Sequence, residues 1–170
     1  MIRLVENYIA PAYGLLIKVG SSLQSLFLLA VRLYWGWQFM QTGWGKLHNI
    51  PHVIQFFTSL GIPMPGFNAW FVSLTELVGG ILLALGLGSR LLGLLLAGDM
   101  LVAYIASDRE ALFSVFSNPG KFYNADPYTF LFASLLVLIF GPGKISLDHY
   151  LSGRFESTRR SVSVSSSIAA

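Results

Sequence analysis

The chain has 170 residues, of which 54% are hydrophobic and only 11% charged, against about a quarter charged in an ordinary soluble domain. Eight acids and eleven bases cannot coat a globule of this size, so the surplus apolar surface must face lipid or a partner. With no cysteine, the chain can form no disulfide, thiol nucleophile, Cys-ligated zinc site or Cys-held iron–sulfur cluster. A net charge of +3 is too small and too dispersed to suggest nucleic acid.

Residues 1–22 hold Arg3, Glu6 and Lys18 around the apolar stretch from Tyr8 to Ile17. They read as an interfacial helix rather than a signal peptide. Apolar runs long enough to cross a hydrocarbon core follow from about Leu23 to Gly43, Asn68 to Gly88 and Leu91 to Ser107. A shorter run spans about Asp126 to Gly141, opened by Asp126-Pro127 as an N-cap with proline in the first helical turn. The expected fold is therefore an all-α, four-helix membrane bundle over residues 23–150. The connection Trp44 to Phe67 carries His48, His52 and the Gly61-Ile62-Pro63-Met64-Pro65-Gly66 turn cluster. Pro51 argues against a regular helix that would place both histidines on one face, so no metal is expected there. The stretch Leu112 to Phe116 suits a membrane interface, and residues 151–170, ending in a serine-rich run, are expected to be a disordered tail.

Seven Lys and Arg residues flank the spans on the side of the termini and three on the other. By the positive-inside rule both termini are expected in the cytoplasm. The eleventh base, Arg32, lies inside the first span, as Glu76 does in the second and Asp99 in the third. Counted from the expected span ends at about 1.5 Å per residue, all three reach a similar depth. Each alone would cost about 2.5–3.5 kcal/mol at the centre of a bilayer, so the economical arrangement brings the three together. Arg32, Gly36, Phe39, Gly43 and Lys46 form one stripe at helical spacing, and Glu76, Gly80 and Leu83 another, with Gly80, Ala84 and Gly88 as a small-residue series. The charges then either hold a packed bundle together or form a substrate or proton site. Trp35, with Tyr34 and Trp37 beside it and Gln38 above, suits stacking on a planar ligand such as a quinone ring, or plain core packing. No histidine falls within a span, so no intrinsic haem is expected.

Three ordered motifs resemble the DoxX family of small four-helix bacterial membrane proteins. They are Arg32…Gly36…Phe39…Gly43-Trp44-Gly45-Lys46, then Glu76-Leu77-Val78-Gly79-Gly80…Leu85-Gly86…Arg90, and finally Gly141-Pro142-Gly143-Lys144-Ile145-Ser146-Leu147-Asp148. The matched polar positions are Arg32, Lys46, Glu76, Arg90 and Asp148, while Asp99 lies outside the motifs. The resemblance implies a bacterial inner-membrane location and an association with sulfur and redox metabolism, including subunits of a thiosulfate:quinone oxidoreductase. On that reading Glu76, with Asp99, handles the protons of quinone reduction and Arg32 orients a carbonyl oxygen. Trp35, Gln38, Lys46 and Arg90 complete the ligand site, and a protein partner supplies the redox cofactor. A non-enzymatic scaffold, or a small-solute carrier working as a homo-oligomer, is the alternative.

Overall fold

Polar residues that would end a helix in water are satisfied within the first helix, and the result is one continuous rod. In the computed structural model, which describes residues 10–154, α1 runs Ala10–His48, 39 residues or roughly 58 Å. The hydroxyls of Ser21 and Ser22 donate to the carbonyls of Ile17 and Lys18, at 2.6 and 2.9 Å. No break therefore separates residues 10–22 from the first span, contrary to the separate interfacial segment expected there; residues 1–9 lie outside the described residues.

The remaining helices are α2 Ile50–Ser59, α3 Pro65–Leu85, α4 Ser89–Ser107, the short α5 Arg109–Phe113 and α6 Pro119–Tyr123, and α7 Pro127–Phe140. The expected second, third and fourth spans match α3, α4 and α7 to within three residues. Tyr13–His48, Pro65–Leu85 and Ser89–Ser107 are long and apolar enough to cross a membrane, and α7 is a shorter apolar helix. The expected loop from Trp44 to Phe67 is mostly helical. Pro51 sits in the first turn of α2, where its missing N–H would have had no intrahelical partner, so it starts this helix instead of breaking it. Residues 147–154 are helical too, with the Ser146 hydroxyl accepting from the His149 amide at 3.2 Å. The expected disordered tail thus begins in a helix, and residues 155–170 lie outside the described residues.

The four long elements alternate in direction. α1 packs chiefly on α3 and α4 chiefly on α7, and the two pairs join through Phe39, Leu83, Leu96 and Val137. Phe39 and Trp35 meet Phe130 of α7 edge-on, with ring centroids 4.8 and 5.1 Å apart. The α1–α3 seam is backbone against backbone: a Cβ on Gly36 would stand 2.7 Å from the carbonyl oxygen of Gly80, and one on Gly43 would stand 2.7 Å from that of Ser73. Outward-facing Leu74, Val78, Leu94, Leu101, Ile105 and Ile139 give the bundle an apolar surface suited to lipid. One end carries α2, α5 and α6 and is termed the loop end. The other carries the α3–α4 turn and residues 142–154 and is termed the turn end.

Candidate functional site

A cavity of about 580 Å³ lies toward the loop end, walled by α2, α3 and α4. Val53, Phe56 and Phe57 of α2, Val72 of α3 and Met100 and Val102 of α4 give it apolar sides. Its polar end is built from Lys46 in the last turn of α1, Glu76 of α3 and Asp99 of α4. The Lys46 ammonium donates to Glu76 Oε1 at 2.5 Å. Lys46 keeps about a third of its side chain exposed while Glu76 is 2% exposed, so the lysine brings a solvated charge to a buried one. The other Glu76 oxygen, Oε2, and Asp99 Oδ2 are buried and accept no hydrogen bond. Asp99 lies within electrostatic reach of both Glu76 and Lys46.

Arg32 does not join this group. Its guanidinium donates to the carbonyl of Ile145 at 2.5 Å and faces Asp148 at the turn end. The depth reading fails because it started the first span at Leu23. The seam sets Gly36 against Gly80 and Gly43 against Leu77, which places Arg32 beside Gly86, past the last residue of α3. Arg32 and Glu76 are thereby about ten residues, roughly 15 Å, apart along α3. Trp35 packs between Tyr34 and Phe130, and half-buried Gln38 does not line the cavity. Arg90 lines an open groove at the turn end with Asp148 and His149. Of the seven expected site residues, the structure brings together Lys46, Glu76 and Asp99. The apolar α2 wall was missed, although Val53, Phe56, Phe57 and Leu60 already carry helical spacing.

The turn end is a structural clasp. Gly86 and Gly88 hold positive φ, 71° and 62°, and expose the first amides of α4. The Asp148 carboxylate accepts from the amides of Gly88 and Ser89 at 2.7 and 2.9 Å, and its own amide donates to the Gly86 carbonyl at 2.9 Å. Burial alone would raise the Asp148 carboxyl, but the Ser89 and Gly88 amides and the Arg32 charge outweigh it and hold the group below its ordinary 3.8. A carboxyl depressed in the folded state stabilises fully above its unfolded value and loses that contribution as pH falls through the lower folded value. Melting curves should therefore show Asp148→Asn costing about 1 kcal/mol at pH 6, with the gap to the parent closing as pH drops below 3.8. A gap independent of pH would remove the charge from this account.

These features define an all-helical, multi-span integral membrane protein with a half-buried ion pair and a second carboxylate at the head of an apolar cavity. The DoxX family model matches residues 27–109. A Bacillus subtilis protein named "Putative oxidoreductase CatD" is 31% identical over 123 residues, covering 72% of this chain and 85% of that protein. The Escherichia coli "Inner membrane protein YqjF" is 28% identical over 134 residues, covering 78% of this chain and 98% of the relative. The chain belongs to the DoxX family. No solved structure matches it.

Proposed function

We propose that the chain is an integral membrane subunit of an oxidoreductase system in the bacterial inner membrane, passing electrons from a partner protein or a sulfur compound to quinone. The observation that carries this reading is the cavity itself. Its volume of about 580 Å³ falls among small-molecule sites of about 300–1,000 Å³, and its sides suit an apolar ring and tail. Its head holds two carboxylates and an ammonium, groups able to exchange protons with ring oxygens. The names of the B. subtilis and E. coli relatives support the redox activity and the location respectively.

Reducing a quinone to a quinol takes two electrons and two protons. A flavin- or metal-bearing partner supplies the electrons, and Glu76 and Asp99 relay the protons at the head of the cavity, taking them up from the loop end and passing them to the ring oxygens. Lys46 compensates the Glu76 charge and links it to the loop end, where His52 is exposed and also lines the cavity. Arg32, fixed on the Ile145 carbonyl, positions the turn end and takes no part in binding the ring. With the termini cytoplasmic, as the distribution of bases favours, the cavity lies toward the outer face and meets its partner there. Glu76→Gln should slow quinone reduction by membranes containing the intact complex about 100-fold while leaving the helicity of the purified chain unchanged. An unaltered rate would overturn the assignment.

A further inference from the structure

The chemistry at the head of the cavity is lopsided, and the lopsidedness discriminates between the two redox forms of a ring bound there. Its neutral side-chain donors on the walls are turned to the backbone: one N–H of Asn68 Nδ2 donates to the Pro63 carbonyl at 2.6 Å and the Ser107 hydroxyl to the Ala103 carbonyl at 2.8 Å. Lys46 donates to Glu76 and is open to water, and His52 is exposed to solvent. Among the described residues, the buried polar side-chain atoms of this cavity left without a hydrogen bond are Glu76 Oε2 and Asp99 Oδ2. Both are carboxylate oxygens. Glu76, ion-paired through its other oxygen, offers Oε2 as an acceptor.

We infer that the cavity holds the reduced, hydroxyl-bearing form of its ring more tightly than the oxidised form, an inference that rests on the quinone reading above. An oxidised quinone turns a carbonyl acceptor toward the Glu76 Oε2 acceptor and leaves that buried oxygen unsatisfied, whereas a quinol presents an O–H donor and satisfies it. Leaving a buried acceptor unpaired is the costly outcome, and sites built to bond a hydroxyl reject analogues that lack it by factors of up to about 10⁵. The aqueous side of Lys46 softens the contrast here, and the expected preference is at least about tenfold. Tighter binding of the reduced form raises the midpoint potential of the bound couple, by about 30 mV for each tenfold in a two-electron exchange. Bound quinone thereby becomes a better acceptor for a weakly reducing partner, in the exchange quinone + 2 electrons + 2 protons → quinol.

The test uses the full chain in lipid nanodiscs, titrated calorimetrically and without oxygen against a benzoquinone bearing one isoprene unit and against the same compound reduced. Empty nanodiscs provide the baseline for partition into lipid. The quinol should bind at least about tenfold more tightly, and Glu76→Gln, which puts an amide in place of the free acceptor pair, should erase most of that preference. Asp99→Asn, which leaves the Lys46–Glu76 pair intact, should reduce it and serves as the second variant if Glu76→Gln loses helicity. Equal affinity for the two forms, or tighter binding of the quinone, would overturn the inference and leave the quinone site standing. Failure of both forms to bind above the baseline would overturn both.

Discussion

Replacing Gly43 with valine is expected to destabilise the bundle by about 3 kcal/mol, at the upper end of what overpacking costs. A Cβ at this position runs into the Leu77 amide nitrogen, and would stand 2.7 Å from the Ser73 carbonyl oxygen and 2.9 Å from Leu77 Cα. All three obstacles are backbone, so no rotamer change relieves them, and α1 must move off α3. That seam is the main contact of α1 with the rest of the molecule, and the shift would reach the Lys46–Glu76 pair three residues further on. Gly43→Ala should act in the same direction with a smaller loss. Gly45 provides the control: a Cβ there meets nothing within 4 Å, and Gly45→Ala should be neutral or slightly stabilising, because glycine inside a helix costs up to about 1 kcal/mol relative to alanine. Melting temperatures in detergent check the series. A Gly43→Val protein that melts with the parent would mean that α1 and α3 do not meet in this register.

The same seam shows what the sequence could carry. Gly36, Gly43 and Gly80 stand out as small residues at helical spacing, and Asp126-Pro127 reads as a helix start, so which helix faces touch and where α7 begins were both legible, whereas Pro65, read as part of a turn, in fact opens α3. Local rules also govern the Ser21 and Ser22 hydroxyls, but their effect there was to keep a helix going through a stretch that looked like a boundary. The expected cluster of Arg32, Glu76 and Asp99 failed for a different reason. Depth was counted from hydropathy, which cannot say which part of a 39-residue helix is level with its neighbours. The register of α1 against α3 decides that. It aligns Lys46 with Glu76 and sends Arg32 to a carbonyl near the other end of the chain, 113 residues away. Lys46 sits beyond the expected span end at Gly43, so a count of charges inside the spans passed over the partner that Glu76 has. Asp148, met in sequence as a matched polar position after a Gly-Pro-Gly turn with no partner to read from it, acquires its role because the α3–α4 turn leaves two amides open across 60 residues of chain. Each of these is a long-range pairing, and periodicity carries no information about it.

The altered pairing makes a sharp energetic statement about which charge depends on which. Lys46→Leu leaves a Glu76 carboxylate that is 2% exposed with no counter-ion, and removing one partner of a buried pair costs about 3 kcal/mol. Glu76→Leu should cost less, because the lysine it abandons is about a third exposed and can carry its ammonium further into water. The double variant removes the stranded charge and should lie close to Glu76→Leu alone, so the two changes should be coupled by about 3 kcal/mol. Arg32→Leu combined with Glu76→Leu tests the rejected geometry. Arg32 is held by Ile145 and Asp148 and shares no partner with Glu76, so these two losses should add to within about 0.5 kcal/mol. Unfolding of the three single and two double variants in mixed detergent micelles measures both couplings on one scale. A large Arg32–Glu76 coupling with a negligible Lys46–Glu76 coupling would restore the midplane cluster and dissolve the cavity's polar head as described. The expected reverse would fix Lys46 as the counter-charge to a buried carboxylate beside an apolar cavity, the arrangement on which its proton and hydrogen-bond chemistry depends.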